Sequence, residues 1–222
     1  MARAKSKNQW LTVTFLLVEA ALYALILMGR WVVPAQYAAV CLCFVYVLFH
    51  LRQANYYILS GLLLTLCADW FLVVQRPQEK LTAMLFFLGA QTAYAWLLHR
   101  RVRGRNLLLT RLLLIAIVEA VTVLVLRTAL DALAMVSMAY YVMLLMNIVC
   151  AFKSYKREPL LAWALVLFFL CDTVIGLQVA SVGYLILPAW LNNALFCGFP
   201  LDWAFYLPSQ VMLAFCGKRN RR

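Results

Sequence analysis

Apolar runs of about 17 to 21 residues recur along the whole of this chain. Each is long enough to cross a hydrocarbon core of roughly 30 Å as a helix. In that solvent every backbone N–H and C=O must be satisfied within the protein, which leaves helices or a closed barrel. The runs are continuous and do not alternate, so the expected class is all-α: a polytopic membrane protein. Composition agrees, with 67% hydrophobic and 13% charged residues and a mean hydropathy of +0.89. A soluble globular chain has nothing like this balance. The first run has a short basic flank and no small-residue cleavage site after it, so it reads as a retained helix, not a leader.

Eight spans are expected, at about residues 10–29, 33–49, 56–75, 81–98, 107–126, 132–151, 160–180 and 200–217. With the N-terminus placed inside, the inner segments carry 16 of the 20 Lys and Arg residues. The outer segments hold only Arg30, Arg76, Lys80 and Arg127. By the positive-inside rule this predicts eight helices with both termini cytoplasmic, where seven would send the basic tail 218–222 outward. The net charge of +12 therefore belongs to helix ends and not to a nucleic-acid surface. The seven cysteines lie mostly within apolar runs, which fits small buried side chains better than a disulfide frame or a zinc site.

The chain reads as one integral membrane domain, residues 1–222, with signs of internal duplication over 10–100 and 107–217. Val18-Glu19-Ala20 recurs as Val118-Glu119-Ala120, and Leu66-Cys67-Ala68-Asp69 recurs as Leu170-Cys171-Asp172. Phe86-Phe87-Leu88-Gly89-Ala90-Gln91 resembles Phe205-Tyr206-Leu207-Pro208-Ser209-Gln210. The matches occur in the same order. Four helices per unit would make parallel repeats about an axis along the membrane normal.

Asp69 and Asp172 are the residues that apolar sequence explains least. An ionisable side chain within a bilayer costs at least a few kcal/mol and so faces a protein interior or a wet cavity. In the eight-span topology Glu19, Glu119, Asp69 and Asp172 fall at or beyond the midplane, and Asp202 starts span eight at the outer level. No Lys, Arg or His is expected at that depth. Two carboxylates brought together there would share a proton, leaving one acid and one base to act on a bound water. The plainer reading gives each acid only an interhelical hydrogen bond, and for Glu19 and Glu119 that reading is preferred. Trp10, Trp31, Trp190 and Trp203, near span ends, read as interface anchors. Pro208 frees a carbonyl within span eight, where Ser209 and Gln210 could satisfy backbone or line a cavity.

Other chemistries find no support. His50 and His99 stand at cytoplasmic ends without metal spacing, so no metal and no other cofactor is expected. There is no nucleophile elbow, no Gly-rich phosphate loop, and no histidine at the depth of a serine or cysteine nucleophile. Carboxylate chemistry or carboxylate-coupled transport remains.

Four stretches together resemble the YhhN-like membrane proteins, a family that includes the lysoplasmalogenases. They are the Asp69 element, Phe86-Phe87-Leu88-Gly89-Ala90-Gln91 with Tyr94, the Phe168-Phe169-Leu170-Cys171-Asp172 element, and Asp202-Trp203-Ala204-Phe205-Tyr206-Leu207-Pro208-Ser209-Gln210. The resemblance covers roughly residues 55 to 217. It implies an eight-helix hydrolase that cleaves the vinyl ether bond of lysoplasmalogens to a fatty aldehyde and glycerophospho-ethanolamine or -choline. It also implies Asp69 and Asp172 as the catalytic pair, with Tyr206 and Gln210 beside them. Where the family commonly carries His, this chain has Gln91 ahead of Tyr94. A span-six Tyr and Gln of the family correspond loosely to Tyr140 or Tyr141 and Asn147.

The expected function is thus hydrolysis of a lysophospholipid drawn from the bilayer. Asp69 and Asp172 are the candidate acid and base, and Gln91, Tyr94, Asp202, Tyr206 and Gln210 the candidate substrate-binding set. The expected setting is a bacterial cytoplasmic membrane, with no nucleic-acid partner. The competing reading is a proton-coupled small-molecule or lipid transporter, for which midplane acids in repeated halves are also expected.

Overall fold

The computed structural model describes residues 2–50, 54–102, 106–127, 130–156, 158–183 and 188–217. Arg52, Arg103, Arg105, Arg157 and the tail 218–222, which carry part of the expected inward charge bias, lie outside the described residues.

Among the described residues there are helices and no strands. In chain order they are α1 (Ala2–Leu27), α2 (Val32–Phe49), α3 (Tyr56–Asp69), α4 (Lys80–Val102), α5 (Leu107–Leu126), α6 (Ala132–Lys153), α7 (Pro159–Gly183), α8 (Ala189–Leu195) and α9 (Leu201–Gly217). A π-helical turn, Trp70–Val74, continues α3. Seven spans, α1 to α7 with the π turn counted into α3, are long and apolar enough to cross a membrane. They make the protein an integral multi-pass membrane protein. The expected eighth span corresponds to α9, which is shorter at 17 residues and holds Pro208 within it. The short α8 occupies what reads in the sequence as a long loop.

Residue chemistry fixes the helix starts. The Asn55 side chain accepts a hydrogen bond from Tyr57 N at 3.2 Å and so caps α3. Asp131 does the same for α6, accepting from Ala134 N at 2.7 Å. Gly29 takes φ 68 at the α1–α2 turn, a conformation that costs glycine no Cβ clash.

The helices pack around one core. The closest neighbours are α7 with α9, α3 with α4, and α4 with α6, while α5 leans mainly on α6. Leucine and valine side chains line the outside of α5, with Leu109, Leu113, Ile117 and Leu124 all exposed. Lipid is the solvent that tolerates such a face.

α3 and α9 run antiparallel with a register pinned at both ends. At one end Tyr206 meets Asp69. At the other, Asn55 N donates to Gly217 O at 2.8 Å, and a Cβ on Gly217 would lie 3.5 Å from Ile58 Cγ2. Eleven residues separate the pinned points on each helix. The buried stripe Ile58, Leu62, Thr65, Asp69 therefore lies along the buried stripe Gly217, Leu213, Gln210, Tyr206, at the spacing of one helix face.

Candidate functional site

Asp69 is the last residue before the helix changes pitch. Gln75 N donates to Trp70 O at 2.9 Å, a bond that takes one more residue per turn than the α-helix allows. The loop beyond holds the widened turn in place, with Gln78 Nε2 donating to Leu72 O at 2.8 Å. π turns within helices recur at functional sites because they re-aim the residues around them. Here the turn leaves the Asp69 side chain on the α3 face that α9 covers.

The Asp69 carboxylate is 2% exposed and accepts a hydrogen bond from Tyr206 Oη at 2.6 Å. That distance lies at the short end of the O–H···O range. Asp172, on α7, accepts from Tyr140 Oη of α6. Asp172 is the more accessible of the two acids. Each is the fourteenth residue of its span, counted from Tyr56 and from Pro159. Both thus stand about 20 Å along helices that start at the same end. They are near enough for the charge of Asp172 to act on Asp69, and Cys171 lies within electrostatic reach of Asp69, Asp172 and Asp202. Neither carboxylate has a Lys, Arg or His partner among the described residues.

Two phenylalanines join the Tyr–Asp pairs. Phe168 packs tilted at 5.6 Å from Tyr206, Phe87 edge-on at 6.1 Å from Phe168, and Tyr140 tilted at 6.1 Å from Phe87. Phe168 sits one helical turn before Asp172, so one face of α7 supplies both a carboxylate and an apolar wall. These rings are part of motifs the sequence brings forward, but apolar residues in an apolar helix carry no local sign of a role. Trp203, expected as an interface anchor, is instead buried edge-on against Tyr206 at 5.0 Å.

Below Asp69, towards the end of the bundle that carries His99, Arg100, Arg101 and Lys153, the α3–α9 stripe stays polar for one further turn. The register sets Thr65 opposite Gln210, both fully buried. Thr65 Oγ1 and both Gln210 amide atoms have no hydrogen-bond partner among the described residues. Tyr94 Oη lies within reach of Thr65 Oγ1, though the two do not close a well-formed hydrogen bond. The tyrosine ring packs against Gly61, where a Cβ would come within 2.3 Å of Tyr94 Cε1. Buried polar groups are nearly always satisfied, so such a cluster marks a place where polar matter belongs.

Gln91 is turned towards α6. Asn147 Nδ2 donates to Gln91 O at 2.8 Å and to Gln91 Oε1 at 2.9 Å. Asp202 stands in the first turn of α9, beside the helix N-terminus and within reach of Cys171. The structure thus sets Asp69, Asp172 and Tyr206 at one level, with Asp202 one turn above and Gln210 and Tyr94 one turn below. Gln91 joins the same core through Asn147. Tyr140, which the sequence leaves level with Tyr141, is the residue that holds Asp172, while Tyr141 donates to Thr173 Oγ1 at 3.3 Å. Glu19 accepts from Cys43 Sγ at 3.3 Å, an interhelical contact apart from the site. Glu119 is on α5, also apart. Ser209 Oγ donates to Ala164 O at 2.8 Å and ties α9 to α7.

The sequence model of the YhhN family matches residues 29–214. The chain belongs to that family. The match starts at the α1–α2 turn, so it takes in α2, where the sequence offers little beyond hydrophobicity. No curated protein and no solved structure matches the chain.

Proposed function

We propose that this YhhN-family protein is a membrane-embedded hydrolase that cleaves the vinyl ether bond of lysoplasmalogens, with Asp69 and Asp172 as its acid and base. The observation that carries the reading is the arrangement of two carboxylates within electrostatic reach of one another. Each is held by a tyrosine, and neither is neutralised by a cation. Such a pair shares protons, and so offers an acid and a base in one place.

Vinyl ether hydrolysis asks for both. A carboxylic acid gives its proton to the alkene carbon remote from the oxygen, and the carbon bearing the oxygen becomes part of an oxocarbenium ion. The remaining carboxylate stabilises that cation and takes a proton from the water that attacks it. The hemiacetal so formed collapses to a fatty aldehyde and the free hydroxyl of glycerophospho-ethanolamine or -choline, its hydroxyl proton passing to the departing oxygen, and the pair ends with the one proton it began with. No redox partner is needed. Asp172, the more accessible acid, meets the substrate first. Tyr206 and Tyr140 orient the carboxylates, and the Phe87–Phe168 wall excludes bulk water from the cation. The basic end of the bundle faces the cytoplasm on this reading, and the lipid enters sideways from the bilayer.

The experiment is direct. Purified protein in liposomes is incubated with lysoplasmenyl-ethanolamine, and fatty aldehyde is followed by mass spectrometry beside Asp69→Asn and Asp172→Asn variants shown to be folded. Aldehyde from the wild type alone supports the reading. Equal aldehyde from all three removes the carboxylates from the chemistry. No aldehyde from folded wild type, with proton flux into the liposomes, would favour a carboxylate-coupled transporter in its place.

A further inference from the structure

A second polar feature lies at the basic end, apart from the carboxylates. Arg111 is the fifth residue of α5 and is only 5% exposed. Its guanidinium meets sulfur alone among the described residues, with Nη1 at 3.9 Å from Met143 Sδ and Nη2 at 3.7 Å from Cys150 Sγ. Thioether and thiol sulfurs are weak acceptors. A buried charge left without a counter-ion costs several kcal/mol, so this position calls for an anion. The chain's own acids do not provide one. Glu158 is bound to Arg101, and Glu119, the acid on the same helix, stands eight residues or about 12 Å further along. The others are engaged elsewhere.

Arg111 lines a largely apolar crevice of about 130 Å³ between α4 and α5, to which Met143 of α6 also contributes. Trp96 and His99 form one wall, and Leu108 and Leu112 the other. Trp96, Leu108 and Leu112 are each more than half exposed, so the crevice opens sideways onto the apolar surface of α5. Arg111 lies one turn into α5, about 6 Å from its start.

We propose that this crevice binds the phosphate diester of a membrane phospholipid, with Arg111 as the charged partner and the carbon chain lying along the leucines of α5. Charge complementarity selects an anion, and the lateral apolar opening selects one attached to a chain over one free in water. His99, at the rim beside Trp96 at 6.2 Å between rings, adds a donor for a second phosphate oxygen. The inference stands whether or not the protein is a hydrolase.

The test uses the full-length protein in a neutral detergent, titrated with dioctanoyl phosphatidylglycerol and read by native mass spectrometry. Dioctanoylglycerol, which has the chains without the phosphate, and inorganic phosphate are run beside it. Wild type is expected to hold one phosphatidylglycerol at least about ten-fold more tightly than Arg111→Gln does. Arg111→Lys should recover part of the difference, and dioctanoylglycerol should bind both forms alike. Leu112→Trp, a change on the lipid-exposed side of the crevice, should also weaken the lipid while leaving Arg111 in place. It decides the matter if the arginine variants fold poorly. Equal lipid binding by wild type, Arg111→Gln and Leu112→Trp would overturn the proposal. So would inorganic phosphate displacing the lipid at equal concentration, which would mark a site for soluble anions.

Discussion

Tyr206 reaches from α9 to Asp69 on α3 and closes a 2.6 Å hydrogen bond between residues 137 positions apart. Both groups are buried, so the bond fixes the carboxylate and the helix pair at once. Leaving a buried carboxyl oxygen unsatisfied costs about 1–3 kcal/mol. Tyr206→Phe is expected to cost about that much stability, read as a drop in thermal midpoint. It should lower aldehyde production by about 10²-fold, as loss of one positioned donor does elsewhere. Tyr140→Phe should act in the same direction through Asp172. Full activity in both variants would mean that the tyrosines serve packing alone.

Gly61 and Gly89 make a contrast that packing alone predicts. A Cβ on Gly61 would fall 2.3 Å from Tyr94 Cε1 and 2.5 Å from Cζ, atoms of a fully buried ring. A Cβ on Gly89 would meet Leu64 Cδ1 at 3.4 Å, an ordinary contact with a flexible side chain. Gly61→Ala should therefore destabilise by about 1–3 kcal/mol through overpacking. Gly89→Ala should be neutral or stabilising by up to about 1 kcal/mol, since both sit within helices. Thermal unfolding in one detergent compares them, and equal shifts would show that the Tyr94 ring is free to move away.

Asn147 and Gln91 should behave as a unit. Asn147 Nδ2 is shared between the Gln91 backbone and side-chain oxygens, and no other partner of that amide is described. A double-mutant cycle with Asn147→Leu and Gln91→Met is expected to give a coupling of about 0.5–3 kcal/mol, the range for residues in one buried network. A coupling near zero would mean that each amide is satisfied independently.

Much of this arrangement is legible in the sequence because a membrane simplifies the reading. Long apolar runs set helix positions to within a few residues, and a carboxylate in such a run has few places to face. Asp69 and Asp172 stand out that way, while Tyr206 enters only through the family resemblance. What stays hidden depends on which helices touch. A strict two-fold repeat would take Asp172's tyrosine from α4, the counterpart of α9, yet it comes from α6, and nothing local separates Tyr140 from Tyr141. Phe87 and Phe168 are silent because their neighbours are equally apolar. The π turn after Asp69 is set by contacts in the following loop, and Leu72 and Val73 are good α-helix and strand residues alike. Arg111 reads as one more basic residue at a helix end, and only its depth beside Met143 and Cys150 sets it apart.

Thr65 and Gln210 separate stability from function most sharply. Both are fully buried on the α3–α9 seam one turn below Asp69, and neither side chain closes a well-formed hydrogen bond among the described residues, Thr65 lying only within reach of the Tyr94 hydroxyl. A buried polar atom without a partner costs about 1–3 kcal/mol, so apolar replacements of like shape relieve that cost. Thr65→Val and Gln210→Leu should then leave the thermal midpoint unchanged or raise it. Catalysis should respond oppositely if this seam carries water or protons to Asp69, falling by about 10²-fold or more in the double variant, in keeping with the loss of a proton-transfer group. A stabler protein with less activity would mark the seam as kept polar for the chemistry, the exchange of stability for function that active sites show. A stabler protein with undiminished activity would make the two residues bystanders. A destabilised one would show that they hold ordered water the fold depends on. The two readouts, taken on the same preparation, assign the seam without any change to the carboxylates.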